Sequence, residues 1–357
     1  MSERDDASGA QGGSQASAQV ADDRLVQRSL ISRLLNRPEL GAMAGAITVL
    51  AVFAIVAGDS GMFSQRGVIN FLNAAALLGL VAVPVALLMI GGEFDLTVGS
   101  MIAFSGMAVA IGAVTLELPL WLAILSAFAI AIAVGLLNGY IVIWTGLPSF
   151  IVTLGGLFIL RGLTVGLTRQ ITGRTQIGGI RDQMAGDPLV PLFHGTLFGL
   201  PISVVWFLVL GALATYVLLF TRFGNWIFAA GGDKNAARNV GVPVSFVKIV
   251  LFTMTAAGAT LAAVITVLDA GSADTQRGLL RELEAIAAAV IGGCLLTGGY
   301  GSAVGAMLGA LIFGVTQRGI FYTGIPTDWF LVVLGGMLLA AVMSNNYIRR
   351  KALEGRG

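Results

Sequence analysis

The chain has 357 residues, of which 56% are apolar and only 11% charged, with a formal net charge of +2. Because a soluble domain usually carries about 25% charged residues, this composition excludes an ordinary soluble globular protein. A mean hydropathy of +0.89 and 49 glycines indicate closely packed transmembrane helices in a lipid bilayer. The single cysteine, Cys294, excludes an internal disulfide, and we expect it to be a small buried apolar side chain.

In chain order, a hydrophilic tail over 1–40 precedes ten apolar runs, and a short basic tail over 347–357 follows them. We expect the first tail to be disordered because it is rich in Ser, Gly, Ala and Gln. A crossing helix needs roughly 20 apolar residues, so the runs predict an all-α integral membrane protein with one polytopic domain over 41–346. The run at 284–296 is too short to cross alone and predicts a broken or re-entrant segment. The runs lie at about 41–58, 69–90, 97–115, 119–143, 149–168, 201–220, 246–268, 284–296, 302–322 and 326–346.

Positive charge orients this predicted bundle. If the N-terminus is cytoplasmic, the inner tails and loops carry twice as many Lys and Arg residues as the outer loops. That asymmetry agrees with the positive-inside rule. Ten crossings then return the C-terminus to the cytoplasm.

A polar loop at about 221–245 contains a predicted short helix. Asp233 suits its N-cap, and Gly231 and Gly232 let the chain turn into it. Gly241 suits the left-handed position after its end, and Pro243 prevents continuation. The helix offers a small apolar knob with a polar rim, formed by Lys234, Asn235, Ala236, Ala237, Arg238, Asn239 and Val240. The pattern fits a docking helix for a soluble partner, and it also fits an ordinary cytoplasmic connector.

Two acidic residues, Glu93 and Asp95, separate two long apolar runs. Acidic groups at membrane depth are costly and are often functional, so both are candidates for the translocation path. A solvated turn in which Asp95 caps the next helix is the alternative, and the two roles are compatible.

A third cluster contains Asn138, Pro148, Thr153 and Arg161. Pro148 suits the first turn of a helix, and Thr153 either bonds back to its own helix or faces a pore. Arg161 needs a partner at membrane depth, unless it snorkels to the outer surface.

A fourth cluster follows Glu284, where a short half-helix ends in Gly292, Gly293, Gly298 and Gly299. Unwound backbone of this kind lines substrate paths or gates in transporters with discontinuous helices. We therefore take these five residues as candidates for the translocation path.

Several kinds of chemistry have no motif in the chain. It contains no phosphate-binding loop of the Gly-x-x-x-x-Gly-Lys-Ser/Thr type, and one His and one Cys make no metal constellation or catalytic triad. No basic and aromatic patch suggests nucleic acid. We therefore expect a transport subunit and not an enzyme, with no catalytic residue, metal or cofactor of its own.

Four stretches together resemble the membrane permease subunit of bacterial ABC importers for ribose and related monosaccharides. They are 92–100, 148–155 with Arg161 and Gly162, 230–241, and 282–301. Each is weakly specific, but their order and spacing match the family over roughly residues 40–346.

This resemblance implies an all-helical fold of the type II importer kind in the bacterial inner membrane. Two copies of the chain, or one copy and a homologous permease, would form the path. A separate cytoplasmic ABC ATPase would bind ATP-Mg and hold the helix at 231–241. A periplasmic sugar-binding protein would deliver a monosaccharide or a related polyol.

Three other functions stay open on the residues alone. An ion-coupled secondary transporter would use Glu93, Asp95 or Glu284, although matching inverted repeats are not evident. The permease of a branched-chain amino acid importer would share the ten glycine-rich spans. A non-transporting scaffold would leave the broken helices and intramembrane charges unexplained.

Overall fold

A computed structural model describes residues 38–354, with side chains over 39–343. The prediction of a disordered N-terminal tail falls almost wholly outside the described residues. Most of the described residues are helical, because backbone groups in lipid must be hydrogen-bonded within the protein. The helices are α1 (Pro38–Ala57), α2 (Gln65–Ile90), α3 (Thr97–Ala110), α4 (Leu120–Thr145), α5 (Ser149–Thr172), α6 (Val190–Phe193), α7 (Ile202–Phe220), α8 (Arg222–Gly232), α9 (Lys234–Asn239), α10 (Val244–Ala270), α11 (Arg281–Ile291), α12 (Ala303–Tyr322) and α13 (Phe330–Glu354).

The predicted crossings correspond to observed helices. Within the described residues, eight helices are long and apolar enough to cross a membrane. They match eight of the ten apolar runs, and α3 is extended to Thr115 by a short π-helix. The last run lies in α13, whose helix continues to Glu354 and so includes much of the segment that we expected to be a tail.

Helix α2 forms the centre of the bundle. It packs against α7, α10, α11 and α12, and its residues from Leu78 to Ile90 are all buried. Hydropathy does not distinguish α2 from the less buried crossing helices, so its central position results from helix packing. In α1 and α5, by contrast, only 17% of an 18-residue apolar stretch of the helix is buried. These helices therefore present apolar faces to lipid or to another chain.

Short strands join two loops at one end of the bundle. Strand β1 (Gln176–Ile177) pairs antiparallel with β4 (Ala273–Asp274), while β2 (Thr196–Leu197) and β3 (Leu200–Pro201) form a hairpin. Because β1 follows α5 and β4 follows α10, the ends of these two helices lie on the same side. The ten-crossing arrangement predicts this placement.

The chain between β4 and α12 traverses the bundle without a full-length helix. Glu93 lies just after α2 and pairs with Lys248 near the start of α10. Because β4 follows the other end of α10, the end of α2 and β4 lie at opposite ends of the bundle. Gly299 N donates to the Ile90 carbonyl at the end of α2 at 2.8 Å. Helix α11 has 11 residues, about 16 Å at 1.5 Å per residue, against a hydrocarbon core of about 30 Å. The segment at 284–296 is therefore part of a broken crossing and not a re-entrant loop.

Candidate coupling and translocation site

Helix α9 is a short, capped helix at the end of the bundle where α2 ends. Asp233 Oδ1 accepts from the backbone N–H of Asn235 at 2.8 Å and of Ala236 at 3.0 Å. The hydrogen bond from Ala236 N has the larger effect and that from Asn235 N the smaller, and both lower the pKa of Asp233. Gly241 takes the left-handed conformation with φ 84°. The N-cap and the C-terminal glycine that the sequence predicts are both present.

Two details of this region differ from the sequence-based expectation. Gly231 and Gly232 do not form a turn, because α8 remains helical through Gly232 and the chain turns at Asp233. Ala237 does not face outward, since it is only 3% exposed, and α9 packs on α10. Ala237 thus anchors the helix from beneath.

The exposed surface of α9 is a compact patch with mixed chemistry. Its apolar part is Ala236 and Val240, and Val240 is 79% exposed. Its polar rim consists of Lys234, Asn235, Arg238 and Asn239, all exposed. A small apolar centre with a polar rim is the composition of a docking surface.

Three backbone segments meet behind α9 without a side chain between them. A Cβ added to Gly231 of α8 would collide with the Ile90 carbonyl and lie 2.7 Å from Gly299 N. A Cβ added to Gly298 would lie 2.7 Å from the Cα of Gly92. We call these five residues (Ile90, Gly92, Gly231, Gly298 and Gly299) the glycine junction. It connects α8, the end of α2 and the broken crossing rigidly, because only glycine permits backbones to approach so closely.

The broken crossing is also fixed to the helix that follows it. A Cβ added to Gly292 would collide with the Gly305 carbonyl oxygen of α12, and one added to Gly309 would meet the backbone of Ala288. Gly293 takes φ 92° in the turn that ends α11. Cys294 is 1% exposed, which confirms that it is a buried apolar side chain.

Asp95 belongs to a hydrogen-bond network that involves three helices. It is buried, and its Oδ1 accepts from Thr97 N at 2.9 Å and Thr97 Oγ1 at 2.5 Å. Its Oδ2 accepts from Thr255 Oγ1 of α10 at 2.6 Å. Asn138 Nδ2 of α4 donates to Thr97 Oγ1 at 3.1 Å. Asp95 therefore bonds to the first residue of α3, but the N-cap residue is Leu96, and Asp95 lies in a buried polar network and not in the solvated turn of the alternative.

Glu93 has a partner that the sequence did not reveal. Its carboxylate pairs with the Lys248 ammonium of α10, and both side chains are largely buried. The two residues are 155 positions apart, so only the fold brings them together. This ion pair and the Asp95 network hold the segment between α2 and α3 against α10.

The start of α5 is bonded to the same segment. Phe94 N donates to Ser149 Oγ at 3.0 Å, and Thr153 Oγ1 donates to the Ser149 carbonyl at 2.8 Å. Thr153 is buried and bonds back to its own helix, which is one of the two alternatives. Pro148 stands just before α5 as its N-cap residue.

Arg161 is partly buried. Its Nη1 atom is buried without a hydrogen-bond partner, and its nearby opposite charge is Glu282. Glu284, which the sequence singled out, instead pairs with Arg281 at 2.9 Å. The sequence did not single out Glu282. Glu282 and Glu284 both lie in the first turn of α11, and the sequence does not tell which of them lies near Arg161. Within residues 39–343, no group of three or more His, Cys, Asp or Glu side chains is placed to hold a metal ion.

Comparison with known proteins places this arrangement in a family. A family model described as "Branched-chain amino acid transport system / permease component" matches residues 67–342. The chain belongs to this permease family. The match covers α9, the glycine junction and the broken crossing. The all-α bundle with its apolar crossings is thus a multi-pass membrane permease.

Similar permeases include two proteins named for pentoses. The xylose transport system permease protein XylH of Haemophilus influenzae is 30% identical over 86% of this chain and 96% of its own length. The ribose import permease protein RbsC of Escherichia coli strain K12 is 33% identical over 88% of this chain and 96% of its own length. No solved structure matches the permease.

Proposed function

We propose that the chain is the permease subunit of an ATP-driven ABC importer for a monosaccharide or related polyol. The carrying observation is that the exposed helix α9 is joined to α8 through the single residue Asp233, and that Gly231 of α8 contacts the broken crossing at the glycine junction. The names of the xylose and ribose permeases favour a pentose or a similar neutral sugar. They also favour this function over import of branched-chain amino acids.

The proposed partners follow from the two ends of the bundle. A cytoplasmic ABC ATPase, which holds ATP-Mg, docks on the α9 patch. A periplasmic sugar-binding protein docks on the opposite end, where β1 pairs with β4. A second copy of the chain, or a homologous permease, covers the exposed apolar face of α5 or a similar face. The N- and C-termini are then cytoplasmic in the bacterial inner membrane.

The proposed mechanism transmits movement through backbone contacts. ATP binding closes the two ATPase subunits and moves α9 together with α8. Because Gly231 contacts Ile90 and Gly299 directly, the end of α2 and the broken crossing move with them. The path itself binds sugar weakly, since a ligand shifts a conformational equilibrium only by its differential affinity for the two states.

The contacts of the acidic residues argue against an ion-coupled transporter. Asp95 accepts three hydrogen bonds, and Glu93 and Glu284 each have a cationic partner. Groups held in this way stabilise the bundle and are poor carriers of a proton or a sodium ion. Glu93, Asp95, Asn138 and Thr153 therefore support the wall of the path.

The test begins with a pull-down of the chain from its native membrane and identification of stoichiometric partners by mass spectrometry. The recovered complex is then placed in ATP-loaded vesicles, and uptake of D-ribose, D-xylose and leucine is measured. We expect pentose uptake that requires ATP and survives an uncoupler. Loss of uptake with the uncoupler would support ion coupling, and uptake of leucine alone would support the amino acid importer.

A deletion tests the role of α9 within that complex. Removal of residues 234–239 takes away the docking patch but leaves the crossing helices intact. We expect sugar-stimulated ATP hydrolysis to be lost while the chain remains in the membrane at normal abundance. Sugar-stimulated hydrolysis that persists in the deletion would contradict the proposed docking role.

A further inference from the structure

The start of α11 lies against α3, close to a charged residue of α5. A Cβ added to Gly99 of α3 would collide with Glu282 Oε2, so this carboxylate lies directly on that helix. On a neighbouring side, Ser100 Oγ donates to the Leu157 carbonyl of α5 at 3.0 Å, and Arg161 follows one turn later. The Glu282 carboxylate and the Arg161 guanidinium therefore interact electrostatically.

Each of these charged groups has a buried atom without a hydrogen-bond partner. The atoms are Arg161 Nη1 and Glu282 Oε2, and Glu282 as a whole is only 6% exposed. The two groups form no ion pair with each other among the described side chains. Buried polar atoms are nearly always hydrogen-bonded, and charge at membrane depth is costly. This donor and this acceptor thus point to a ligand.

Glu284 shows the contrast with a structural carboxylate on the same helix. Its Oε2 is also buried without a well-directed hydrogen bond, but it has an ion pair with Arg281 at 2.9 Å. The charge of Glu284 is therefore balanced within one turn of α11. The charges of Arg161 and Glu282 are balanced only across helices and leave a donor and an acceptor open.

We propose that Arg161 and Glu282 bind a sugar hydroxyl in the translocation path, an inference that rests on the proposed function. A hydroxyl can accept from Arg161 Nη1 and donate to Glu282 Oε2 at the same time. Both bonds involve a charged partner and are therefore stronger than bonds between neutral groups. Because the charges of the pair cancel, binding a neutral polyol leaves no uncompensated charge at membrane depth.

The fold also provides a way to release the hydroxyl. Helix α11 is connected to the glycine junction through the loop over 292–299, whereas Arg161 stands on α5. The start of α11 follows Leu280, a non-glycine residue at φ 64°, a conformation that is strained for a bulky side chain. When the junction moves, α11 shifts against α5, and Glu282 moves away from Arg161. The bridge then breaks, and the sugar leaves.

The experiment pairs substitutions in the chain with removal of single hydroxyls from the sugar. The full importer complex in ATP-loaded vesicles is supplied with D-ribose, D-xylose and their monodeoxy analogues. Sugar transported per ATP hydrolysed is compared for wild type, E282Q, R161K and the matched control E284Q. Each variant is first checked for membrane abundance and monodisperse purification, and R161K replaces E282Q in the comparison if E282Q does not assemble.

We expect wild type to transport one analogue about tenfold less efficiently than its parent sugar, the scale of losing one hydrogen bond to a charged group. In E282Q and R161K this difference should shrink to about twofold or less, because the partner is already impaired. In E284Q the wild-type discrimination should remain.

Unchanged discrimination in E282Q and R161K would overturn the inference, and so would full recovery of transport in the R161E/E282R charge exchange. Either result would indicate a structural pair that is bridged by water. Wild-type complex that transports no sugar or polyol with ATP would instead refute the proposed function, and this inference with it.

Discussion

A single substitution at Gly231 should disturb the proposed coupling directly, because Gly231 lies at the centre of the glycine junction. It is helical, and its Cα touches the backbone of two other segments.

Asp233, two residues later, contributes in a different way, since its cap depends on a carboxylate. Because the two backbone bonds lower its pKa, this contribution is complete above the ordinary value of 3.8 and is lost only as the pH falls through the lowered pKa. The cap is therefore intact throughout the physiological pH range.

Substitution of Gly231 by Ala should disrupt the glycine junction, with Gly232→Ala as the control. The new methyl group of G231A collides with the Ile90 carbonyl, whereas a Cβ at Gly232 has nothing within 4 Å. Overpacking of this kind costs about 1–3 kcal/mol. We expect G231A to lower the thermal stability of the purified permease and to abolish sugar-stimulated ATP hydrolysis. G232A should behave as wild type, and equal effects of the two would contradict the role of the junction.

At the scale of elements, the segment between α2 and α3 is held by contacts with several helices. Asp95 bonds to the start of α3 and to α10, Phe94 bonds to the start of α5, and Glu93 pairs with α10. The segment lacks regular structure, so it relies on side chains from neighbouring helices to satisfy its polar groups. Its position is thus determined by these contacts.

Removal of one member of the Glu93–Lys248 pair should destabilise the bundle more than removal of both. A buried charge that loses its partner costs about 3–5 kcal/mol, whereas an apolar replacement of the whole pair is often neutral. We expect E93L and K248M each to lower the midpoint of thermal unfolding in detergent. The double variant should recover most of the loss. Additive losses in the double variant would show that the two charges are independent.

At the scale of the whole molecule, the hairpin of β2 and β3 and the helix α9 lie at opposite ends of the bundle. Phe198 at the hairpin is 96% exposed and Val240 after α9 is 79% exposed. Cys294 is the only cysteine in the sequence and is buried. The native chain therefore provides a background in which a new surface cysteine is labelled selectively.

A membrane-impermeant maleimide should label F198C in intact cells and should label V240C only after the membrane is opened. The result follows from ten crossings with the α9 side in the cytoplasm, where twice as many positive charges lie. The wild-type chain should remain unlabelled, which provides the control. Labelling of V240C in intact cells, with F198C protected, would reverse the orientation and place α9 out of reach of a cytoplasmic ATPase.

Much of the fold could be predicted because its signals are local. Apolar length determined the crossings, and the run at 284–296 is too short for a full crossing whatever surrounds it. The caps of α9 were predictable as well, because Asp233 and Gly241 act on backbone groups within one helical turn. The close backbone contacts of Gly231 and the burial of Ala237 could not be predicted, because they depend on which helix packs behind these residues.

The sequence by itself determined that this protein is a helical membrane protein with a short capped helix in a polar loop. The length and hydropathy of a run and the capping of a helix depend on residues that are neighbours in the sequence, so the sequence alone is enough to predict them. Only the tertiary structure decided that Glu93 pairs with Lys248, that Arg161 stands near Glu282 and that glycines from three segments meet. These contacts join residues tens to more than a hundred positions apart, and helix packing alone determines which of them come together.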